Sequence, residues 1–213
     1  MIEFPNSTLV DKRIPKEAFY KHLPLSAALK NKFVSDVERI VVENSLTQRN
    51  LNLEKKGSIK EILLLSVTVK KQDFDGKILE AIARQNPHKL IFKLVDGELK
   101  NWQLAVYHSK LYRTNWMDPE LCTLTLQGDT LNDIWDDLVR QIALHPEPEE
   151  HPAQPMDLDD ELKRQEAMDR LKKQIQKVEK ATWKEVQPKK KFELFTQLQA
   201  LKDQLEELTH GKA

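Results

Sequence analysis

The chain has 213 residues, with 34 Lys and Arg balancing 34 Asp and Glu, and its mean hydropathy is −0.61. That balance excludes a wholesale polycation coating nucleic acid and an acidic disordered tail protein, and the length excludes a large multidomain enzyme. Only five glycines occur, each isolated: Gly57, Gly76, Gly97, Gly128 and Gly211. Gly-rich phosphate cradles need several close together, so nucleotide binding of the Walker or dinucleotide type is excluded.

In chain order, Pro15 suits the first position of a helix, and Ser26 can cap a longer one. Leu29, Phe33, Val37, Ile40, Val41 and Asn44 recur at steps of three and four, extending that second helix as far as Asn44. Gly57 and Ser58 precede a strand from Glu61 to Lys70. Asp73 is placed to cap a short helix carrying Phe74, Ile78, Ala81 and Ile82, which Asn86-Pro87 ends. KLIFKLV, Asp96-Gly97 and ELKNWQLAVYH read as a hairpin on a type I′ turn. Leu121–Leu126 reads as a further strand. Thr130 then opens a helix with Leu131, Ile134, Trp135, Leu138 and Ile142 on one face. The strand–helix–strand unit predicts a parallel pair, which the hairpin extends antiparallel.

Residues 146–156 carry three acids and four prolines and read as a linker. Beyond it, Met168, Leu171, Ile175, Val178 and Thr182 make one heptad seam; Leu194, Leu198, Leu201, Leu205 and Leu208 make another. Pro188 between them predicts an antiparallel helical hairpin over 157–209, the alternative being one kinked helix pairing with another chain. The fold class is thus α+β: a small mixed sheet with flanking helices in 1–145, followed by a coiled-coil hairpin.

The charge balance conceals two blocks. Residues 147–161 hold seven acids and no Lys or Arg, whereas 170–191 hold nine bases against two acids. With Met168 at heptad position a, Arg170, Lys173, Lys177, Lys180 and Lys184 fall at c, f, c, f and c, a stripe about 21 Å long opposite the seam. Lys189, Lys190 and Lys191 continue it beyond the turn. Such a stripe is either a solvated outer face or a tip that binds phosphates or an acidic partner. Helix electrostatics favours acids at the start of the first helix and bases at its end, but Lys189–Lys191 open the second helix against that rule. Trp183 is expected to close the tip against Val186, Phe192 or Phe195, the alternative being stacking on a base.

Signals for catalysis are sparse. HExxH, GxSxG and CxxC are absent, so neither a metal site nor a cofactor is expected. His145 and His151 fall in the proline-rich linker, where nothing preorganises a ligand set. A divalent-metal nuclease needs clustered acids and a lysine, but Glu61 and Lys70 stand nine residues apart on one strand. The single Cys122, the absence of a signal segment and the lack of a long apolar run point to a cytoplasmic protein without a membrane span.

Phe4-Pro5-Asn6-Ser7-Thr8-Leu9-Val10 with Lys12-Arg13-Ile14-Pro15-Lys16, then EILLLSVTVKKQDFDGKILEAIARQNPHKLIF and QPKKKFELFTQLQALKDQLEEL, resemble the bacterial domain-of-unknown-function family 4391. The resemblance implies a gene beside DNA methyltransferases and superfamily 2 helicases in restriction or phage-defence loci. It carries over no catalytic residues; where relatives place an acid in the central strand, this chain has Ser66 and Thr68. The expectation is therefore a non-catalytic accessory subunit partnered by a helicase or methyltransferase, with DNA contact or coiled-coil homo-oligomerisation as further readings. The alternative is a divalent-metal nuclease using Glu61.

Overall fold

The computed structural model describes residues 2, 4–22, 25–144 and 156–210, apart from the side chains of 20–22 and 210. Contacts divide the chain into two compact units, 1–145 and 146–213. Of the predicted linker, only Met156 lies among the described residues.

The first unit is built on six strands in sequential order: β1 Leu9–Ile14, β2 Val37–Thr47, β3 Glu61–Val69, β4 Lys89–Asp96, β5 Trp102–His108 and β6 Lys110–Arg113. Only β3 and β4 run parallel, and they are connected through helix α3, Lys77–Gln85. The other neighbours are antiparallel, so the sheet is mixed as expected. Helices α1 (Lys16–His22), α2 (Ala27–Asp36) and α4 (Leu131–Ala143) complete the unit.

The central strands are buried on both faces. Leu65, Val67, Phe92 and Leu94 share one cluster with Phe33 of α2 and with Ile78, Leu79 and Ile82 of α3. Ile62, Leu64, Ile91, Leu104 and Val106, of opposite parity, are also buried, and α4 packs against β3 and β5. Burial on two faces accounts for the nearly continuous apolar run of β3. Each fully buried Leu or Ile contributes about 1.5–3 kcal/mol by leaving water.

Several local expectations hold. Ser26 accepts a hydrogen bond from the Leu29 amide at 3.3 Å and starts α2. Thr130 and Asp133 form a reciprocal capping box at the start of α4, whose Leu131, Ile134, Trp135, Leu138 and Ile142 are all buried. Asn86 ends α3.

Other expectations are corrected. Helix α2 stops at Asp36, and Val37–Thr47 is the longest strand of the sheet, with Ile40, Val42, Asn44 and Leu46 alternating inward. The branched residues Val37, Ile40, Val41 and Val42 suit a pleated surface, and β3 supplies the ladder that outweighs their helical spacing. Pro15 lies just before α1 rather than at its first residue, its carbonyl accepting from the Ala18 amide. Asp73 does not cap α3; Gly76 occupies that position, and the Asp75 carboxylate accepts from the Lys77 amide.

The β4–β5 turn is not the two-residue type I′ form. Five residues, 97–101, connect the strands, and the positive φ falls at Lys100, at 57°. Asp96 Oδ1 accepts from the amides of Glu98 (2.9 Å) and Leu99 (3.1 Å), which favours the wider loop. Residues 121–126 are not a strand, although Cys122 and Leu124 are buried. Their backbone partner is a side chain: Gln141 of α4 accepts from the Thr125 amide and donates to its carbonyl, at 3.0 and 2.9 Å. Strands β1 and β6 were not anticipated, because exposed edge strands carry no apolar alternation. The β1–β2 register slips between Leu9 and Lys12, where Asp11 adopts φ 44°, and the β2–β3 register slips between Val42 and Asn44.

The second unit is the expected helical hairpin. Helix α5 spans Leu158–Lys184 and α6 spans Pro188–His210. Their antiparallel course is fixed by Arg164, near the start of α5, which donates to the carbonyls of Leu208 and Thr209 at 2.9 and 2.8 Å. Those bonds satisfy carbonyls in the last turn of α6 and place a cation there. Met168, Ile175, Thr182 and Leu198 are buried in the seam, while Leu171, Val178, Leu194, Leu201, Leu205 and Leu208 are half-buried. Pro188 opens α6, where its missing N–H costs nothing. The N-cap Asp157 accepts from the Asp159 amide.

Candidate functional site

The residues singled out for binding all lie on the hairpin. Arg170, Lys173, Lys177, Lys180, Trp183 and Lys184 project from α5, and Lys189, Lys190 and Lys191 from the first turn of α6; all are exposed. They do not form one uniform face. Arg170 lies 3.8 Å from Glu166, so the lower end of the stripe is partly compensated. Among the described residues no salt bridge involves Lys173, Lys177, Lys180, Lys184 or Lys189–Lys191, and the last five crowd around the turn, where positive charge concentrates.

The turn itself is short. Glu185 ends α5, and its carboxylate accepts from the amides of Val186 and Gln187, both at 2.9 Å. The Gln187 amide bond, joined by the Val186 amide and the nearby Lys190 charge, holds the Glu185 carboxyl below its ordinary pKa against some desolvation. A carboxylate serving as backbone cap in a three-residue turn positions the side chains on either side of it.

Trp183 does not close the tip. It is 84% exposed, and Val186, Phe192 and Phe195 are 88%, 72% and 59% exposed. The cause lies in heptad position: the seam takes Thr182 and Leu194, leaving Trp183 and Phe192 at b and Phe195 at e. Glu179 and Lys202, both at e, meet across the two helices at 3.0 Å, which marks the e positions as one shared flank. Trp183, Phe192 and Phe195 therefore belong to the same flank, bordered by the f and c lysines of the stripe. Val186, Phe192 and Phe195 were not among the predicted binding residues. The available signal was aromatic residues at outer heptad positions, where solubility favours polar ones.

The nuclease alternative rests on Glu61, at the start of β3. The Ser45 hydroxyl donates to one of its carboxylate oxygens, and His88 Nδ1 lies 3.2 Å from the other. Lys70 follows the far end of the strand, about 30 Å away at roughly 3.3 Å per residue. Among the described residues no group of three or more His, Cys, Asp or Glu side chains is assembled as metal ligands would be. His145 and His151 lie outside those residues. Cys122 is buried, and desolvation pushes its thiol pKa up, which suits a packing residue rather than a nucleophile.

A cleft of about 770 Å³ opens beside the β1–β2 slip, lined among others by Phe4, Leu9, Asp11, Glu43 and Asn44. Its polar groups are partly engaged: Glu43 pairs with Lys93 at 2.5 Å, and Asn44 donates to the Thr8 hydroxyl at 2.9 Å. The described helices include none long and apolar enough to cross a membrane.

A mixed α/β unit followed by a helical hairpin with an apolar, basic tip defines the molecule. The family described as Domain of unknown function (DUF4391) matches residues 2–205, and the chain belongs to it. No curated protein and no solved structure matches the chain.

Proposed function

We propose that the protein is a non-catalytic accessory subunit of a bacterial DNA restriction or phage-defence complex in the cytoplasm, docking through the tip of its helical hairpin. The observation that carries this reading is the exposure of Trp183, Val186, Phe192 and Phe195 beside unpaired lysines. A cluster of large apolar side chains left in water at the turn of a helical hairpin marks an interaction surface. The family resemblance supplies the candidate partners, a helicase or a DNA methyltransferase of the same system, with the DNA backbone as a further contact of the basic stripe.

Co-expression with the neighbouring helicase and methyltransferase tests the reading. A stable complex, with no DNA cleavage by this subunit alone in Mg²⁺ or Mn²⁺, is the expected result. Cleavage abolished by Glu61→Ala would replace the accessory role with a nuclease.

A further inference from the structure

The composition of the tip restricts what can dock there, and this step rests on the docking role proposed above. We propose that the tip takes a protein surface carrying an apolar groove rimmed by carboxylates. Trp183, Phe192 and Phe195 enter the groove, and Lys180, Lys184 and Lys189–Lys191 meet the rim.

Area supports a protein-sized contact. At roughly 150–250 Å² per aromatic side chain, the exposed fractions of Trp183, Val186, Phe192 and Phe195 amount to on the order of 500 Å² of apolar surface. That is a large share of the roughly 800 Å² each partner contributes to a standard interface. The layout is also that of a protein interface, with an aromatic centre and a charged margin. Two acids lie near this basic end, Glu185, whose carboxylate is committed to two amides, and Glu193, and the five lysines outnumber them. Charge complementarity therefore calls for an acidic rim.

Nucleic acid fits less well. Phosphate binding rewards cations spaced along the rod, and of those on the shaft Arg170 is engaged by Glu166 and Lys202 by Glu179, leaving Lys173 and Lys177 away from the aromatic cluster. Trp183, Phe192 and Phe195 could stack on unpaired bases, but phosphates and bases give Val186 nothing to bury against. A second copy also fits poorly. The opposite end of the hairpin is acidic, with Asp159, Asp160 and Glu161 in the first turn of α5, but its described residues include no exposed large apolar side chain.

The test is titration of the full-length protein with a labelled two-helix peptide whose leucines line the groove between the helices and whose glutamates flank it. The comparisons are a scrambled peptide of identical composition, a DNA duplex of about 30 base pairs and a single strand of similar length. Trp183→Ala/Phe192→Ala and, separately, Lys189→Glu/Lys190→Glu/Lys191→Glu should each weaken peptide binding by about tenfold or more, whereas Lys173→Glu/Lys177→Glu on the shaft should change it less than about threefold. Absence of peptide binding, equal binding of the scrambled peptide, tighter binding of either DNA, or a concentration-dependent mass lost in the Trp183/Phe192 variant would each overturn the proposal. A complex with the helicase or methyltransferase that survives both tip variants sinks this proposal and leaves the accessory role standing; failure of any complex to form sinks the accessory role itself.

Discussion

Lys93 on β4 stands in register with Ser66 on β3, yet its ammonium ends 2.5 Å from the Glu43 carboxylate on β2, one strand further across the sheet. The small Ser66 side chain leaves room for that reach. The Lys93 side chain is 9% exposed and its ammonium also lies 4.3 Å from the centre of the Trp102 ring. A cation this deep is tolerated because both a carboxylate and a π face receive it.

Removing one member of the pair should therefore cost more than removing both. Lys93→Met is expected to destabilise the protein by about 2–4 kcal/mol, somewhat under the value for a fully buried pair because Glu43 retains some contact with water. Adding Glu43→Gln should recover a large part of the loss. Urea unfolding of the two variants measures this; a double variant no more stable than the single one would show that packing of the Lys93 stem is what matters.

Asp96 links stability to acidity. Burial opposes its charge, but the amides of Glu98 and Leu99 and the Gln72 side chain outweigh burial and hold its pKa below the ordinary carboxylate value. A depressed folded-state pKa contributes stability that is present above the unfolded value, about 4, and is lost as pH falls through the folded one. Asp96→Asn should cost about 1 kcal/mol at pH 7, because an amide oxygen still accepts from the turn but without charge assistance. The gap from the natural protein should close as pH drops below about 4, as read by thermal melts across pH. A gap independent of pH would contradict the charge argument.

Gly57 has φ 89°, and a Cβ there would lie 2.2 Å from Asn132 Oδ1, which accepts from the Ile59 amide. Gly57→Ala should destabilise by about 1–3 kcal/mol through both dihedral strain and overlap. Asn132→Ala in that background removes the overlap but keeps the strained dihedral and gives up the bond from the Ile59 amide, so chemical denaturation should show only partial recovery.

The hairpin predicts opposite responses from neighbouring positions. Ile175→Ala, in the seam, should cost about 2 kcal/mol or more and lower helical content on heating. Trp183→Ala, at the exposed tip, should stay within about 0.5 kcal/mol. A Trp183→Ala protein that melts much earlier by far-UV circular dichroism would mean that the tip is structural after all.

The hairpin was legible because heptad spacing encodes packing within one short stretch of chain. Helix α4 was legible for a similar reason, since Thr130 and five apolar positions all act locally. Strand β2 was not, because its helical spacing is real; only the ladder to β3, far along the chain, decides between the two structures. The segment carrying Cys122 and Leu124 alternates as a strand should, but its hydrogen bonds go to Gln141, a pairing that no pattern of backbone propensities announces. At the tip, position predicted the lysines correctly as outward-facing. It failed for Trp183, because hydrophobicity argued for closure while geometry had already filled the seam with Thr182 and Leu194.

The slip in β1 has a consequence for how this protein avoids sticking to itself. A straight outer strand is a template on which another chain can polymerise through its free amides and carbonyls. Here one margin of the sheet is kinked at Asp11 and carries the cations Lys12 and Arg13, and the other, β6, is only four residues long and carries Lys110 and Arg113. Both margins thus carry the kinks, cations or shortness that discourage edge-to-edge pairing, which matters on β1 because Leu9 and Val10 are exposed there.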